Sequence, residues 1–170
     1  AVNLFYGNGN TVVQNNTVYS ASLGMQVTSI QIGKVTIQNN TFTHTQPEDM
    51  GLLFWNVRPD TTQMLTNTVS GSDIGVQLTD NNVGGFNLSE DGIPNSLRMQ
   101  GNTVQNANIG VQVYAETATR GAVLTATGNT FDGNLTAGVQ LTGSGAITTA
   151  ISQNLINNNA NGMLNNSSPA

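Results

Sequence analysis

The residue types best suited to chemistry lie closest together in the segment Thr43–Met50, which reads Thr-His-Thr-Gln-Pro-Glu-Asp-Met. In this segment His44 is followed by two carboxylates, Glu48 and Asp49. A histidine with two carboxylates can hold a metal ion or exchange protons with a substrate. The segment also contains Pro47 and is rich in polar residues, which favours a solvated turn. We therefore predict no metal site here.

The other acidic residues form no pattern that predicts catalysis. Asp73 precedes a glycine by two residues, whereas Glu116 and Asp132 lie in other predicted loops. Glycoside hydrolysis requires two carboxylates on either side of the scissile bond. Because these acids share no position of the repeat described below, the sequence favours a non-catalytic protein, with no catalytic residue and no cofactor.

A second candidate site combines aromatic and amide side chains. Trp55 and Tyr114 each follow a recurrent glycine by four residues, and their predicted strands lie two coils apart, about 10 Å. With Arg58 nearby and Gln77 and Gln112 on the same predicted face, they could stack on and hydrogen-bond a polysaccharide. If the neighbouring loops fold over Trp55, this binding face is lost. The five residues are the predicted ligand-binding set.

All of these side chains belong to a sequence repeat, which determines where the fold places them. Its clearest copy is residues 101–113, in which Asn-Thr-Val is followed eight residues after the asparagine by Gly-Val-Gln-Val. Regular self-similarity of this kind indicates a repeat architecture. The anchor asparagines of the six copies, at spacings of 24, 27, 35, 27 and 25 residues, are Asn16, Asn40, Asn67, Asn102, Asn129 and Asn154.

Each copy predicts three short strands. One is an alternating stretch before the anchor, one begins just after the anchor, and the third is the Gly-x-Gln-x stretch. The fold class is therefore all-β, a parallel solenoid of about six coils. The anchor should lie at a tight corner, because asparagine tolerates the left-handed conformation that such a corner needs. Its amide both donates and accepts, so stacked copies should form a ladder.

Composition excludes several classes of function. The net charge is −5, and the four basic residues cannot neutralise a nucleic-acid backbone. Cysteine is absent, so disulfides and thiolate metal sites are excluded, which is compatible with export. No apolar run approaches the ~20 residues of a membrane-spanning helix. The chain opens in repeat-like sequence without a signal peptide, so we interpret residues 1–170 as one domain of a longer chain.

The Asn-Thr-Val/Phe corner and the Gly-Val-Gln-Leu strand resemble the right-handed parallel β-helix superfamily, the pectin-lyase-like fold, over residues 10–165. The resemblance implies an asparagine ladder between the second and third strands of each coil. It also implies that Gly-x-Gln-x is the first strand, beside which the enzymes of the superfamily place their chemistry. The chain departs from the enzymatic pattern there, because the outward positions of this strand carry no acid and read Gln26, Leu53, Gln77, Gln112 and Gln140.

The charge-poor, cysteine-free coil is similar to the passenger or stalk of bacterial autotransporter and inverse-autotransporter adhesins. This resemblance implies a structural and adhesive role at the bacterial cell surface, with an outer-membrane anchor in a part not present here. The expected partners are a glycan, a surface protein of a host or neighbouring cell, or another copy of the chain. Two insertions, 43–50 and 80–96, are either functional loops or tolerated surface insertions. Contacts are expected through loop 80–96 or through the Gln/Trp face. The alternative is a polysaccharide-binding or polysaccharide-degrading β-helix fragment.

Overall fold

The protein is built from short parallel strands. The computed structural model describes residues 2–5, 9–19, 22–30, 33–80, 93–116 and 121–168. All regular elements within these residues are strands, and they form three parallel sheets of seven, six and six strands. The described residues include no helix with the length and apolar character needed to cross a bilayer.

The three sheets run along the whole length of the solenoid. Sheet A contains β1 (Val2–Phe5), β4 (Leu23–Thr28), β7 (Met50–Trp55), β10 (Ile74–Thr79), β13 (Ile109–Tyr114), β16 (Ala137–Gly143) and β19 (Asn161–Ser167). Sheet B contains β2 (Thr11–Gln14), β5 (Val35–Gln38), β8 (Thr62–Leu65), β11 (Asn95–Gln100), β14 (Ala122–Thr127) and β17 (Ile147–Ser152). Sheet C contains β3 (Thr17–Tyr19), β6 (Thr41–Thr43), β9 (Thr68–Ser70), β12 (Thr103–Gln105), β15 (Thr130–Asp132) and β18 (Leu155–Asn157).

Each coil takes one strand from sheet A, then one from sheet B, then one from sheet C. Every strand pairs in parallel with the strand of the same sheet in the next coil, as β10 does with β7 on one side and β13 on the other. This order occurs six times, from β1–β3 to β16–β18, and β19 follows. The predicted solenoid of about six coils with three short strands each is confirmed.

The core consists of columns of like side chains. In β10, Val76 and Leu78 are fully buried, and Gln77 between them is half-buried on the outer face. The register places Val76 between Leu52 and Val111 of the adjacent coils. Period-2 alternation in the sequence therefore produces aliphatic columns along the axis, and each fully buried aliphatic side chain contributes roughly 1.5–3 kcal/mol.

A glycine occupies the second position of every sheet A strand from β4 to β19, because the coils approach closely there. A Cβ on Gly75 would lie 2.6 Å from the carbonyl oxygen of Gly110. A Cβ on Gly110 would lie 2.6 Å from the carbonyl oxygen of Gly138. The glycine of each Gly-x-Gln-x stretch thus allows the carbonyl of the next coil to approach the backbone directly.

The anchor asparagines form a hydrogen-bonded ladder at the corner between sheets B and C. The backbone N–H and the Nδ2 of Asn67 both donate to Oδ1 of Asn102, each at 2.9 Å. Asn102 donates in the same way to Oδ1 of Asn129, also at 2.9 Å. The amides of Asn67 and Asn102 also donate to backbone carbonyls of the preceding coil, so these buried amides bind the coils together. The same pattern extends to Asn16, Asn40 and Asn154.

The prediction that the anchor itself adopts the left-handed conformation is wrong by one residue. The positive φ occurs at the residue before each anchor, where the chain turns the corner. The anchor that follows can then direct both its backbone N–H and its amide along the axis to the next coil. The left-handed residues are Asn15 (φ 58°), Asn39 (φ 53°), Thr66 (φ 53°), Gly101 (φ 66°), Gly128 (φ 64°) and Gln153 (φ 57°).

Thr66 is the one β-branched residue at this turn position, so it provides a test of the turn. A β-branched side chain is strained at positive φ, whereas asparagine tolerates it. We expect Thr66→Asn to raise the free energy of unfolding by about 1 kcal/mol, measured by urea denaturation. Asn39 already occupies the equivalent position one coil earlier. Thr66→Ala, which keeps a Cβ, is the control. A Thr66→Asn variant no more stable than wild type would contradict the expectation.

Candidate functional site

The segment that contains His44, Glu48 and Asp49 connects β6 to β7 and is partly integrated into the solenoid. His44 Nδ1 lies 3.8 Å from Asp49 Oδ2, and both side chains are almost fully buried. The backbone N–H of His44 donates to Ser70 O at 2.9 Å, and the N–H of Asp73 donates to Asp49 O at 2.6 Å. The prediction of a solvated turn is therefore wrong for His44 and Asp49, because backbone hydrogen bonds hold the segment against the next coil.

The remaining carboxylate of this segment does not join the pair. Glu48 is exposed, as are the three residues before it. In the part of the chain that the structure describes, no three His, Cys, Asp or Glu side chains are grouped so that they could hold a metal ion. The His44–Asp49 contact is thus an internal contact of one loop. Most of the second predicted insertion, residues 81–92 of 80–96, lies outside the described residues.

The outer face of sheet A carries a column of glutamines bonded to each other. Gln77 Nε2 donates to Gln112 Oε1 at 2.6 Å, and Gln112 Nε2 donates to Gln140 Oε1 at 2.9 Å. The register places Leu53 between Gln77 and Gln26, so the column is interrupted in that coil. The structure brings the predicted site residues Gln77 and Gln112 together, and their side chains form hydrogen bonds along the axis.

Trp55 does not form the exposed aromatic surface that the sugar-binding hypothesis requires. Its side chain is only 5% exposed, and its register partners Thr28 and Thr79 are each 2% exposed. The segment that leaves β7 is buried as well, since Asn56 and Val57 are 2% and 1% exposed. The alternation of inward and outward residues in β7 correctly places Trp55 outside the aliphatic columns. Trp55 is nevertheless buried, because the chain around it packs over this end of the sheet.

The other predicted ligand-binding residues are divided between two places. Tyr114 is half-buried at the end of β13, on the same strand as Gln112. Arg58 lies on the connection from β7 to β8, where its N–H donates to Ile30 O at 3.2 Å and its carbonyl accepts from Thr61. The accessible face of sheet A therefore carries Gln77, Gln112 and Tyr114. Because Trp55 is buried, its indole ring is not available there for stacking on a sugar.

Burial of Trp55 has a direct spectroscopic consequence. Because it is the chain's one tryptophan, the native emission spectrum reports on this site alone. We expect a blue-shifted emission maximum and weak quenching by iodide in the folded protein, with a red shift and at least about three-fold stronger quenching in urea. Emission and quenching that are unchanged on unfolding would show that the indole is exposed in the native protein.

A second asparagine ladder lies at the corner between sheets C and A, which the sequence analysis missed. The N–H and Nδ2 of Asn134 donate to Asn159 Oδ1 at 2.9 and 2.8 Å, and the N–H of Ala107 donates to Asn134 Oδ1 at 3.1 Å. Left-handed Gly133 and Asn158 precede these two asparagines. Both asparagines follow an anchor by five residues, but Ala107 occupies that position one coil earlier, so the sequence signal is weak.

The outer face of sheet B contains a polar groove that the sequence analysis also missed. Its volume is about 220 Å³, and its lining includes Lys34, Asp60, Gln63, Arg98 and Thr125. A second depression of about 360 Å³ lies over the ends of β5, β8 and β11. The available signal was that polar side chains alternate with core residues in these strands. Only the strand register shows which of them are neighbours.

A chain of parallel coils stabilised by internal ladders is a β-solenoid. The family model for the right-handed β-helix region matches residues 1–169. The chain therefore belongs to the right-handed β-helix family, as the Asn-Thr-Val/Phe corner and the Gly-x-Gln-x strand indicate. No curated protein and no solved structure matches the chain.

Proposed function

We propose that the chain is a non-catalytic structural and adhesive segment of a bacterial secreted or cell-surface protein. The observation that carries this proposal is the column of Gln77, Gln112 and Gln140 on the outer face of sheet A. Enzymes of the pectin-lyase-like superfamily place their catalytic residues beside this strand. Here the side chains are neutral amides that bond to each other along the axis, which is an arrangement suited to stabilising the stack and to contacting a surface.

The surroundings of the acidic residues support a structural role. Asp73 Oδ1 accepts a hydrogen bond from Asn108 Nδ2, and Asp132 Oδ1 accepts one from Asn158 Nδ2, each at 2.9 Å. Asp80 Oδ1 accepts from the backbone N–H of Glu116 at 2.5 Å. These carboxylates thus connect neighbouring coils, whereas glycoside hydrolysis needs two carboxylates facing each other across a bond.

Rigidity and composition support the proposed location. The anchor ladder and parallel backbone pairing in all three sheets connect each coil to the next, and a second ladder adds bonds between the last coils. The segment can therefore hold a binding surface at a fixed distance from its attachment point. The charge-poor, cysteine-free surface suits an extracellular protein. An anchor in the outer membrane, through a part of the protein not included in this chain, belongs to the same proposal.

The proposal is tested by measuring binding and turnover in parallel. Fluorescently labelled chain is added to epithelial cells, to bacterial cells and to immobilised polysaccharides, and the soluble fraction is assayed for new reducing ends and unsaturated sugars. We expect saturable binding to at least one surface without release of sugar. Depolymerisation of a bound polysaccharide would contradict the non-catalytic role. Absence of binding to every surface, with a folded protein, would contradict the adhesive role.

Polysaccharide binding is the second candidate function, and a specific observation favours it. The groove on sheet B combines two basic side chains with amide and hydroxyl groups in an otherwise acidic chain. A binding face of this kind is compatible with an adhesive segment, so the two candidates differ in ligand and not in the type of activity.

A further inference from the structure

We propose that the groove on sheet B binds a saccharide that carries a sulfate or phosphate ester. The inference rests on the binding role proposed above, and it specifies a site and a ligand chemistry for that role. The site lies on sheet B, away from the glutamine column of sheet A. Its central residues are Lys34 and Arg98, which line one groove of about 220 Å³.

The charge distribution is the first argument. The chain carries four basic residues and a net charge of −5, yet two of the four line this one groove. Both Lys34 and Arg98 are exposed, and neither forms an ion pair with any residue in the described ranges. Among the described residues of the lining, Asp60 is the single acid. An anionic group can therefore enter without displacing an internal partner of either cation.

The second argument is that the groove is held in a fixed geometry by the sheet. Gln63, Arg98 and Thr125 are direct register partners on β8, β11 and β14, about 4.8 Å apart from strand to strand. Gln63 Nε2 donates to Thr36 Oγ1 at 3.0 Å, which fixes this amide and leaves Oε1 as an acceptor. The side chains that would contact a ligand therefore project from a rigid surface, which lowers the entropic cost of binding.

The backbone that carries the lysine is fixed as well. The N–H of Lys34 donates to Asn10 Oδ1 at 3.1 Å, and its carbonyl accepts from the N–H of Thr11 at 2.8 Å. Both bonds connect this residue to the preceding coil. The ammonium is therefore attached to an ordered position at one side of the groove, while the guanidinium of Arg98 is attached to a central strand.

The chemistry of the lining selects the type of anion. The guanidinium of Arg98 on β11, the hydroxyl of Thr125 on β14 and the ammonium of Lys34, directly before β5, are donors that belong to different coils and can approach an oxyanion from several directions. A tetrahedral sulfate or phosphate ester presents three terminal oxygens to such donors, whereas a carboxylate presents two in one plane. Asp60 and Gln63 supply acceptors for sugar hydroxyl groups.

The adjacent depression supports a saccharide as the carrier of the ester. It has a volume of about 360 Å³, and its lining includes Leu65 on β8 and Gln100 on β11, the strands that carry Gln63 and Arg98 of the groove. Gln38 on β5 lines it as well. These neutral amides suit the hydroxyl groups of further sugar residues. A nucleic acid would need a longer series of cations to neutralise successive phosphates, and among the described residues two cations line this groove.

The test is calorimetric titration with four versions of one oligosaccharide: sulfated, phosphorylated, carboxylated and unsubstituted. We expect the sulfated or the phosphorylated form to bind, and the comparison of these two arms identifies the ester. Arg98→Gln and Lys34→Gln should each weaken binding at least about ten-fold, because a hydrogen bond to a charged group is lost. Added salt should weaken binding by wild type.

The matched control is Asn165→Asp, which makes the net charge more negative by the same amount on exposed β19. It keeps the Oδ1 that accepts from Ser167. This variant should bind within about two-fold of wild type. Both groove residues are exposed, so their variants should retain the wild-type circular dichroism spectrum and melting temperature.

Three results would overturn the assignment: no binding of either ester, equal binding of the carboxylated or unsubstituted form, or unchanged affinity of Arg98→Gln. These outcomes are distinguishable from failure of the proposed function. If wild type and Arg98→Gln bind cells equally well, the adhesive role is retained and the groove is the wrong site. If wild type binds no surface, the adhesive role itself fails.

Discussion

Replacing Asn102 with alanine will lower the free energy of unfolding by about 4 kcal/mol. The substitution removes the Oδ1 that accepts both the backbone N–H and the amide of Asn67. It also removes the amide that donates to Met64 O and to Asn129 Oδ1. The backbone N–H of Asn67 and one of its two amide N–H bonds then lose their acceptor in a buried corner, while the other amide N–H still donates to Ile37 O. Each unsatisfied N–H costs about 1–3 kcal/mol. Urea denaturation followed by circular dichroism measures the change.

The matched control is Asn16→Ala at the first position of the same ladder, of which Asn102 is an interior member. Asn16 is exposed, and within the described residues its Oδ1 accepts no hydrogen bond from another ladder asparagine. Its backbone N–H can still donate to Asn40 Oδ1 after the substitution. We expect a loss below about 1 kcal/mol. Equal losses for Asn102→Ala and Asn16→Ala would show that the buried ladder does not hold the coils together.

The second large effect is expected for Gly51→Ala in β7. A Cβ at this position would collide with the carbonyl oxygen of Gly75 in the next coil and would lie 2.6 Å from Val69 Cγ1. The carbonyl belongs to a hydrogen-bonded sheet, so it cannot move without weakening the pairing of β7 with β10. Overpacking of this kind typically costs about 1–3 kcal/mol. We expect about 3 kcal/mol, because a backbone atom has to shift.

Gly162→Ala provides the control for this prediction, since Gly162 belongs to the same glycine column in β19. Among the described residues, a Cβ there would meet only Ile156 Cγ2, at the ordinary contact distance of 3.5 Å. We expect a change within about 0.5 kcal/mol. If Gly51→Ala were as stable as Gly162→Ala, close approach of the coils would not be the reason for the glycine, and the glycine would instead reflect local backbone preference.

The repeat could be predicted from the sequence because each coil meets the same physical conditions. An inward aliphatic side chain stacks on an equivalent side chain, and an anchor asparagine such as Asn67 forms hydrogen bonds with an equivalent asparagine. The same residue pattern therefore recurs six times in the sequence. The error at the corner arose because asparagine suits both the turn and the ladder. Gly101 and Gly128, directly before two anchors, were the available signal that the turn residue comes first.

The outer faces could not be predicted to the same extent, because alternation assigns a side chain to a face but does not say what covers that face. Trp55 is buried by packing that depends on the segments between strands, which vary in length from coil to coil. The groove on sheet B depends on the register that places Gln63 beside Arg98, from separate copies of the repeat. Lys34 joins them only in the folded chain.

Binding without turnover is tested most directly by mass spectrometry of glycan recovered from the protein. Immobilised wild-type chain is incubated with a mixture of sulfated, phosphorylated and neutral oligosaccharides, and the retained and unbound fractions are analysed after prolonged incubation. We expect selective retention of ester-bearing oligosaccharides at their original length. Shortened or unsaturated products would contradict the non-catalytic role, and a retained fraction with the composition of the input would contradict specific recognition.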